Sequence, residues 1–100
     1  MKKKIILFTL VCCLWIGLFY AGVSSHENVH KTIYNYYNIP AETHVKMLGL
    51  GGGYTIAEND SLCNDICQHA HAMNEVITYN LGILSVLLLA IFSVMILRIE

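Results

Sequence analysis

The sequence predicts a mainly α protein: a hairpin of two transmembrane helices that extend out of the membrane, with a small Gly-rich loop or β-hairpin between them. Three observations predict it. Hydrophobic residues fill 56% of the 100 positions and charged residues only 13%, against roughly 45–50% and about 25% in soluble globular domains. The apolar excess is concentrated in two uncharged runs, 5–23 and 81–97. Between them lie all five histidines and six of the seven acidic residues, in a stretch too short to stabilise a large core of its own.

Residues 1–4 form a basic terminus, Lys2, Lys3 and Lys4. The run 5–23, IILFTLVCCLWIGLFYAGV, reaches about 28 Å as a helix, close to the hydrocarbon thickness of a bilayer. It exceeds the roughly 7–15 apolar residues of a signal peptide, so it reads first as an uncleaved anchor, with a signal peptide cleaved after Ser24 or Ser25 as the competing reading. Cys12 and Cys13 lie inside it and read as apolar packing. Residues 24–37 contain no Gly or Pro, so the first helix is expected to continue out of the membrane through residues 24–38. Asn38-Ile39-Pro40 should stop it, because proline disfavours the helical conformation in the residue before it. Within 39–59, Gly49, Gly51, Gly52 and Gly53 separate two β-prone pieces, which predicts a Gly-rich loop or short strands. Asn59-Asp60-Ser61 offers an N-cap, so a helix is expected over 60–78 and then, as the second span, over 79–97. Arg98 closes that span at residues 98–100. Positive residues flank the outer ends of both spans, which places both termini in the cytoplasm and the central region outside a cell membrane.

Nucleic acid is excluded as a partner by charge. The central region holds Lys31 and Lys46 against Glu27, Glu42, Glu58, Asp60, Asp65 and Glu75, so no basic patch exists to neutralise phosphates. Membrane lipid is the surrounding implied by the spans, and Gly82, Ser85 and Ser93 permit the close helix packing of a homodimer or larger membrane complex.

The residues that carry chemistry are His26-Glu27-Asn28-Val29-His30, an H-E-x-x-H sequence on a segment independently read as helix. Spacing i, i+4 puts both imidazoles on one face, where they can grip one zinc ion while Glu27 acts as general base on a water that the zinc polarises. A catalytic zinc wants a third protein ligand, and the hairpin predicts where it lies. His26 stands three residues beyond the first span, so its partner should stand a similar distance before the second. The i, i+4 row there reads Cys63, Cys67, His71, Glu75, Tyr79. Glu75 is the first choice of third ligand and His71 the next, with His69 and His44 behind. Whichever of His71 and Glu75 does not bind the metal should orient a ligand or stabilise developing negative charge. Tyr79 could donate to that charge, or serve as an interfacial tyrosine at the head of a span.

The HENVH segment, followed by Asn74-Glu75 on a second helix, resembles the zincin metallopeptidases, in particular the branch whose third ligand is the glutamate of an Asn-Glu pair. The resemblance implies His26, His30 and Glu75 as zinc ligands, Glu27 as general base, and hydrolysis of peptide bonds in a peptide or membrane-protein substrate. It covers only those two short segments. Lys31, Thr32 and Ile33 follow the motif, so the three-histidine branch is excluded. An acidic residue often follows the third ligand by four positions in the glutamate branch, and Tyr79 stands there instead.

Cys63 and Cys67 are read as a disulfide, since thiols outside the cytoplasm rarely stay reduced. The alternative is a thiolate site with His69 or His71. Four residues apart on a regular helix, the two α-carbons would lie near the upper end of the disulfide range, so the bond favours an irregular first turn.

Overall fold

The structure, a computed structural model, describes residues 1–46 and 52–99. Two long antiparallel helices, α1 (Lys2–Tyr36) and α2 (Asp65–Leu97), are joined by a two-stranded antiparallel hairpin, β1 (Ala41–Val45) and β2 (Gly53–Ala57), and a 3-10 turn at Asp60–Leu62. The expected fold class is the one observed. Gly49 and Gly51, expected to separate the two strands, lie outside the described residues.

Each long helix contains a window long and apolar enough to cross a membrane, with mean hydropathy of 2.3 in α1 and 2.5 in α2. Only 0% and 6% of these windows is buried within the protein. Leu14, Leu18, Leu84 and Leu88, for example, remain largely exposed, so the surrounding medium and not a protein core has to accept them. The molecule is correspondingly elongated, 59 × 21 × 16 Å.

Both helices end on specific local chemistry. Asn38 has φ 60, a left-handed conformation that asparagine tolerates better than most residues. It sits at the C′ position of α1: Ile39 N donates to Tyr34 O (2.9 Å) and Asn38 N to Asn35 O (3.0 Å). These are the two bonds of a Schellman motif, and Tyr34 packs against the buried cluster of which Ile39 is part, the apolar seal usual at such an end. Thus α1 stops at Tyr36, and Asn38 makes the stop while Pro40 only follows it.

The start of α2 departs from the expected helix over 60–78. Asn59 caps only the 3-10 turn, accepting from Ser61 N, and the α-helix begins at Asp65 with Asn64 as its N-cap. The Asn64 side chain accepts from Cys67 N at 2.9 Å. The reason is the Cys63–Cys67 disulfide: with Cys63 extended ahead of the helix (φ −77, ψ 105), the Cα–Cα separation is 5.3 Å, inside the usual range. The expected disulfide and irregular first turn are therefore both present.

Ile39 and Cys67 are fully buried and Cys63 nearly so, with Ile33, Tyr34, Tyr37 and Ala57 packed around them. This is the small core outside the two spans. The hairpin lies against α1 through its inward residues Ala41, Thr43, Val45, Gly53, Thr55 and Ala57, with Thr43 opposite Thr55. Lys46 N donates to Gly52 O and Glu58 N to Pro40 O. The pairs that exchange hydrogen bonds are therefore the even-numbered residues of the hairpin, and the backbone groups of Gly53, Thr55 and Ala57 point to the outer edge of β2.

The Schellman stop generates a stability prediction. Asn38→Gly should preserve or raise stability, whereas Asn38→Val, branched at Cβ, should lower it by about 1–2 kcal/mol, the cost of a left-handed conformation. Thermal unfolding of the two variants in one detergent provides the comparison.

Candidate metal centre

Where α1 leaves its apolar window it presents His26, Glu27 and His30, and where α2 approaches its own it presents His71, Asn74, Glu75 and Thr78. Antiparallel packing brings the two sets together. Glu75 Oε1 lies 2.7 Å from His30 Nε2 and 3.1 Å from His26 Nε2, and the two Nε2 atoms are 3.3 Å apart. Donors held about 2.0–2.1 Å from one tetrahedral zinc stand about 3.3 Å from each other. The two separations from His26 lie near that value, and the 2.7 Å contact between His30 and Glu75, a hydrogen-bond distance, would open on binding, so these two nitrogens and one carboxylate oxygen could hold a single small cation. Both histidine side chains are 13% exposed and that of Glu75 41%, so the cluster opens on the Glu75 side.

The other ring nitrogens are occupied in the manner metal sites require. Thr78 Oγ1 lies 2.7 Å from His26 Nδ1. His71 Nδ1 lies 2.6 Å from His30 Nδ1, with the two rings edge to edge, 24° from parallel and 4.8 Å between centroids. A metal held by both Nε2 atoms would leave the proton of each histidine on Nδ1, to be donated to Thr78 and to His71 respectively. Asn74, buried, donates from Nδ2 to the His26 carbonyl at 3.1 Å and ties α2 to α1 at that level.

Glu27 is 5% exposed, and its Oε1 lies 3.7 Å from His26 Nε2. The donors that fall within 4.8 Å of one another are His26, His30 and Glu75, so Glu27 stands beside this set. Thr55, from β2, donates its hydroxyl to Glu27 Oε2 at 2.6 Å and lies 3.1 Å from the Glu27 carbonyl. Gly53 makes room for this arrangement: a Cβ there would come within 2.8 Å of the His44 carbonyl and 3.1 Å of Glu27 Cγ. An open cleft of about 540 Å³ adjoins the cluster, lined by Glu27, His30, Glu75 and His71 and, on the hairpin side, by Tyr54 and Thr55. β2 borders it and β1 does not.

Of the sequence-predicted residues, His26, Glu27, His30, Glu75 and His71 are brought together. His71 stands behind His30, in the orienting position that the sequence left open between it and Glu75. His69 is exposed. Tyr79 is 70% exposed and takes no part in the cluster. His44 stacks on Tyr54 across the outer face of the hairpin, with ring centroids 4.9 Å apart. Thr55 and Thr78 are participants the sequence reading missed. For Thr78 a signal existed: four residues advance a helix by about 400°, so an i, i+4 row drifts about 40° per step, and position 78 lies closer to the His71 face than position 79 does. For Thr55 there was none, because the site of contact on a strand depends on register.

A second group of donors lies behind His71, formed with the sulfurs of Cys63 and Cys67. Tyr34 packs on the same imidazole at 4.4 Å and donates its hydroxyl to Asp60 Oδ1 at 3.0 Å. Burial, then this bond to Asp60 and the charge of Asp60, raise the Tyr34 pKa above 10.0. Burial, and after it His30, lower the His71 pKa below 6.5 against the opposing pull of Asp60 and Glu75.

Compared with protein-family models, with curated proteins and with solved structures, the chain matches none. Its own geometry carries the functional argument.

Two predictions follow from this geometry. Thr78→Val removes the acceptor for His26 Nδ1 at nearly constant volume and should weaken zinc affinity about 10–100-fold, as loss of such partners does, measured by competition with a chromophoric chelator. In metal-free protein, the unfolded chain takes up a proton at His71 before the folded chain does, so acidification below 6.5 should reduce stability through the folded pKa. Denaturant unfolding at stepped pH should show a shallower loss in His71→Gln than in the unaltered chain.

Proposed function

We propose that the chain is a membrane-anchored zinc metallopeptidase that hydrolyses peptide bonds on the extracytoplasmic face, with both termini in the cytoplasm. The observation that carries the reading is the convergence of His26 Nε2, His30 Nε2 and Glu75 Oε1 with the Glu27 carboxylate beside them and outside the set. Three protein donors and one open position are the pattern of a catalytic zinc, whereas a structural zinc is closed by four. Zinc bound there would supply Lewis acidity, polarising a water and the scissile carbonyl.

The chain's own residues divide the remaining work. Glu27 accepts a proton from the attacking water and returns it to the leaving amine nitrogen, the two halves of general acid–base catalysis. Thr55 holds Oε2, which leaves Oε1, the oxygen nearest His26, for the proton. The outward backbone groups of Gly53, Thr55 and Ala57 offer an extended substrate an edge to pair with along the cleft, the mode of β-strand addition. The cleft stands next to the level at which the chain leaves its apolar windows, which favours peptide segments that are themselves attached to a membrane or emerging from it. Two copies of the hairpin side by side would enclose it further.

A second reading, a metal-binding module without catalysis, is favoured by the burial of Glu27, which restricts access to its carboxylate. Metal and turnover separate the two. Detergent-purified protein should carry about one zinc per chain, as expected for a single three-ligand site, and His26→Ala/His30→Ala should abolish it. Glu27→Gln should keep the zinc and lose hydrolysis of a quenched-peptide library. Hydrolysis that survives Glu27→Gln would overturn the peptidase, and zinc without turnover in the unaltered chain would leave the module.

A further inference from the structure

We propose that reduction of the Cys63–Cys67 disulfide creates a second transition-metal site, formed by the two thiolates and His71, that excludes metal from the His26–His30–Glu75 site. Both sulfurs and a ring nitrogen of His71 lie within 4.8 Å of one another. Cys67 is fully buried and Cys63 is 7% exposed. Two thiolates and an imidazole are a soft donor set that suits zinc or cobalt(II). The free nitrogen of His71 is Nε2, which is buried and has no hydrogen-bond partner among the described residues, while Nδ1 is engaged by His30. A buried polar nitrogen left without a partner costs about 1–3 kcal/mol, so a ligand at His71 Nε2 would relieve that cost.

Exclusion follows from one proton. The 2.6 Å contact between His30 Nδ1 and His71 Nδ1 holds a single hydrogen. When His30 binds metal through Nε2, its proton sits on Nδ1 and is donated to His71 Nδ1. His71 then carries its own proton on Nε2 and cannot ligate there. When His71 binds metal through Nε2, the donor and acceptor exchange: His71 Nδ1–H donates to His30 Nδ1, and the His30 proton moves to Nε2, which closes the first site. The exclusion rests on the His26–His30–Glu75 reading; the thiolate site does not. The redox step balances with an external thiol or phosphine reductant, which supplies two electrons. The S–S bond breaks, two protons are taken up to give two thiols, and metal binding releases both protons again.

Cobalt(II) is the probe, in detergent-purified protein carrying Cys12→Ala/Cys13→Ala so that the free cysteines of the first span contribute no sulfur. The oxidised chain should bind about one cobalt with no thiolate-to-cobalt charge-transfer absorption. After phosphine reduction the absorption should appear while the stoichiometry stays at about one per chain. It should persist in reduced His26→Ala/His30→Ala and be lost in reduced Cys63→Ser/Cys67→Ser and His71→Asn. Reduced protein without the absorption, or with the absorption undiminished in His71→Asn as in an unfolded dithiol segment, would overturn the second site. About two cobalt ions per reduced chain would overturn the exclusion. An oxidised chain that binds no cobalt, beside a reduced chain that shows the absorption, would refute the three-donor site and support the thiolate site independently.

Discussion

The contact between Glu75 Oε1 and the two Nε2 atoms of His26 and His30 is the interaction on which the rest of the structure depends. Apolar windows that bury 0% and 6% of themselves within the protein do little to fix one helix against the other. Polar groups just above them do. A carboxylate on one helix meets two imidazoles on the other, Asn74 reaches across to the His26 carbonyl, and Thr78 meets His26 Nδ1. Each bond lies in a part-buried setting where a polar group left without a partner would be costly. The same contacts that set the register of α1 against α2 therefore assemble the donor cluster, and fold and site are one arrangement.

The central region then acts as a brace for that arrangement. A core of Ile39, Cys63 and Cys67 with a few partly buried neighbours is too small to be stable alone, and the disulfide ties it to the first turn of α2 while the Schellman stop ties it to the last turn of α1. The hairpin so held lays Thr55 over Glu27, and Gly53, lacking a Cβ, lets it approach. A five-residue strand thus fixes which oxygen of Glu27 is free.

Behind the donor cluster the polar groups continue as a chain: Glu75 and His26 to His30, His30 to His71, with Tyr34 and Asp60 packed on the far side. Because each imidazole has two nitrogens and one proton when neutral, choosing the ligand atom of His30 also chooses the tautomer of His71. The chain leads from the cluster to the only disulfide among the described residues, whose sulfurs lie within 4.8 Å of a ring nitrogen of His71.

Much of this was legible in one dimension. Charge-free runs at 5–23 and 81–97 with basic outer flanks dictated two apolar helices, and H-E-x-x-H on a helix put His26 and His30 on one face whatever surrounded them, because 3.6 residues per turn is a property of the backbone. Antiparallel connection then pointed to Glu75 and His71 by distance from the span ends. The sequence could not choose between those two, nor find Thr55 and Thr78, nor place the true start of α2. Those depend on rotation of one helix about its axis, on strand register and on a covalent bond that pulls Cys63 out of the helix. A shift of tens of degrees or one residue exchanges Thr78 for Tyr79. Local periodicity is encoded by neighbours in the chain, whereas which atom faces which across a gap is decided only when the two helices and the hairpin pack together.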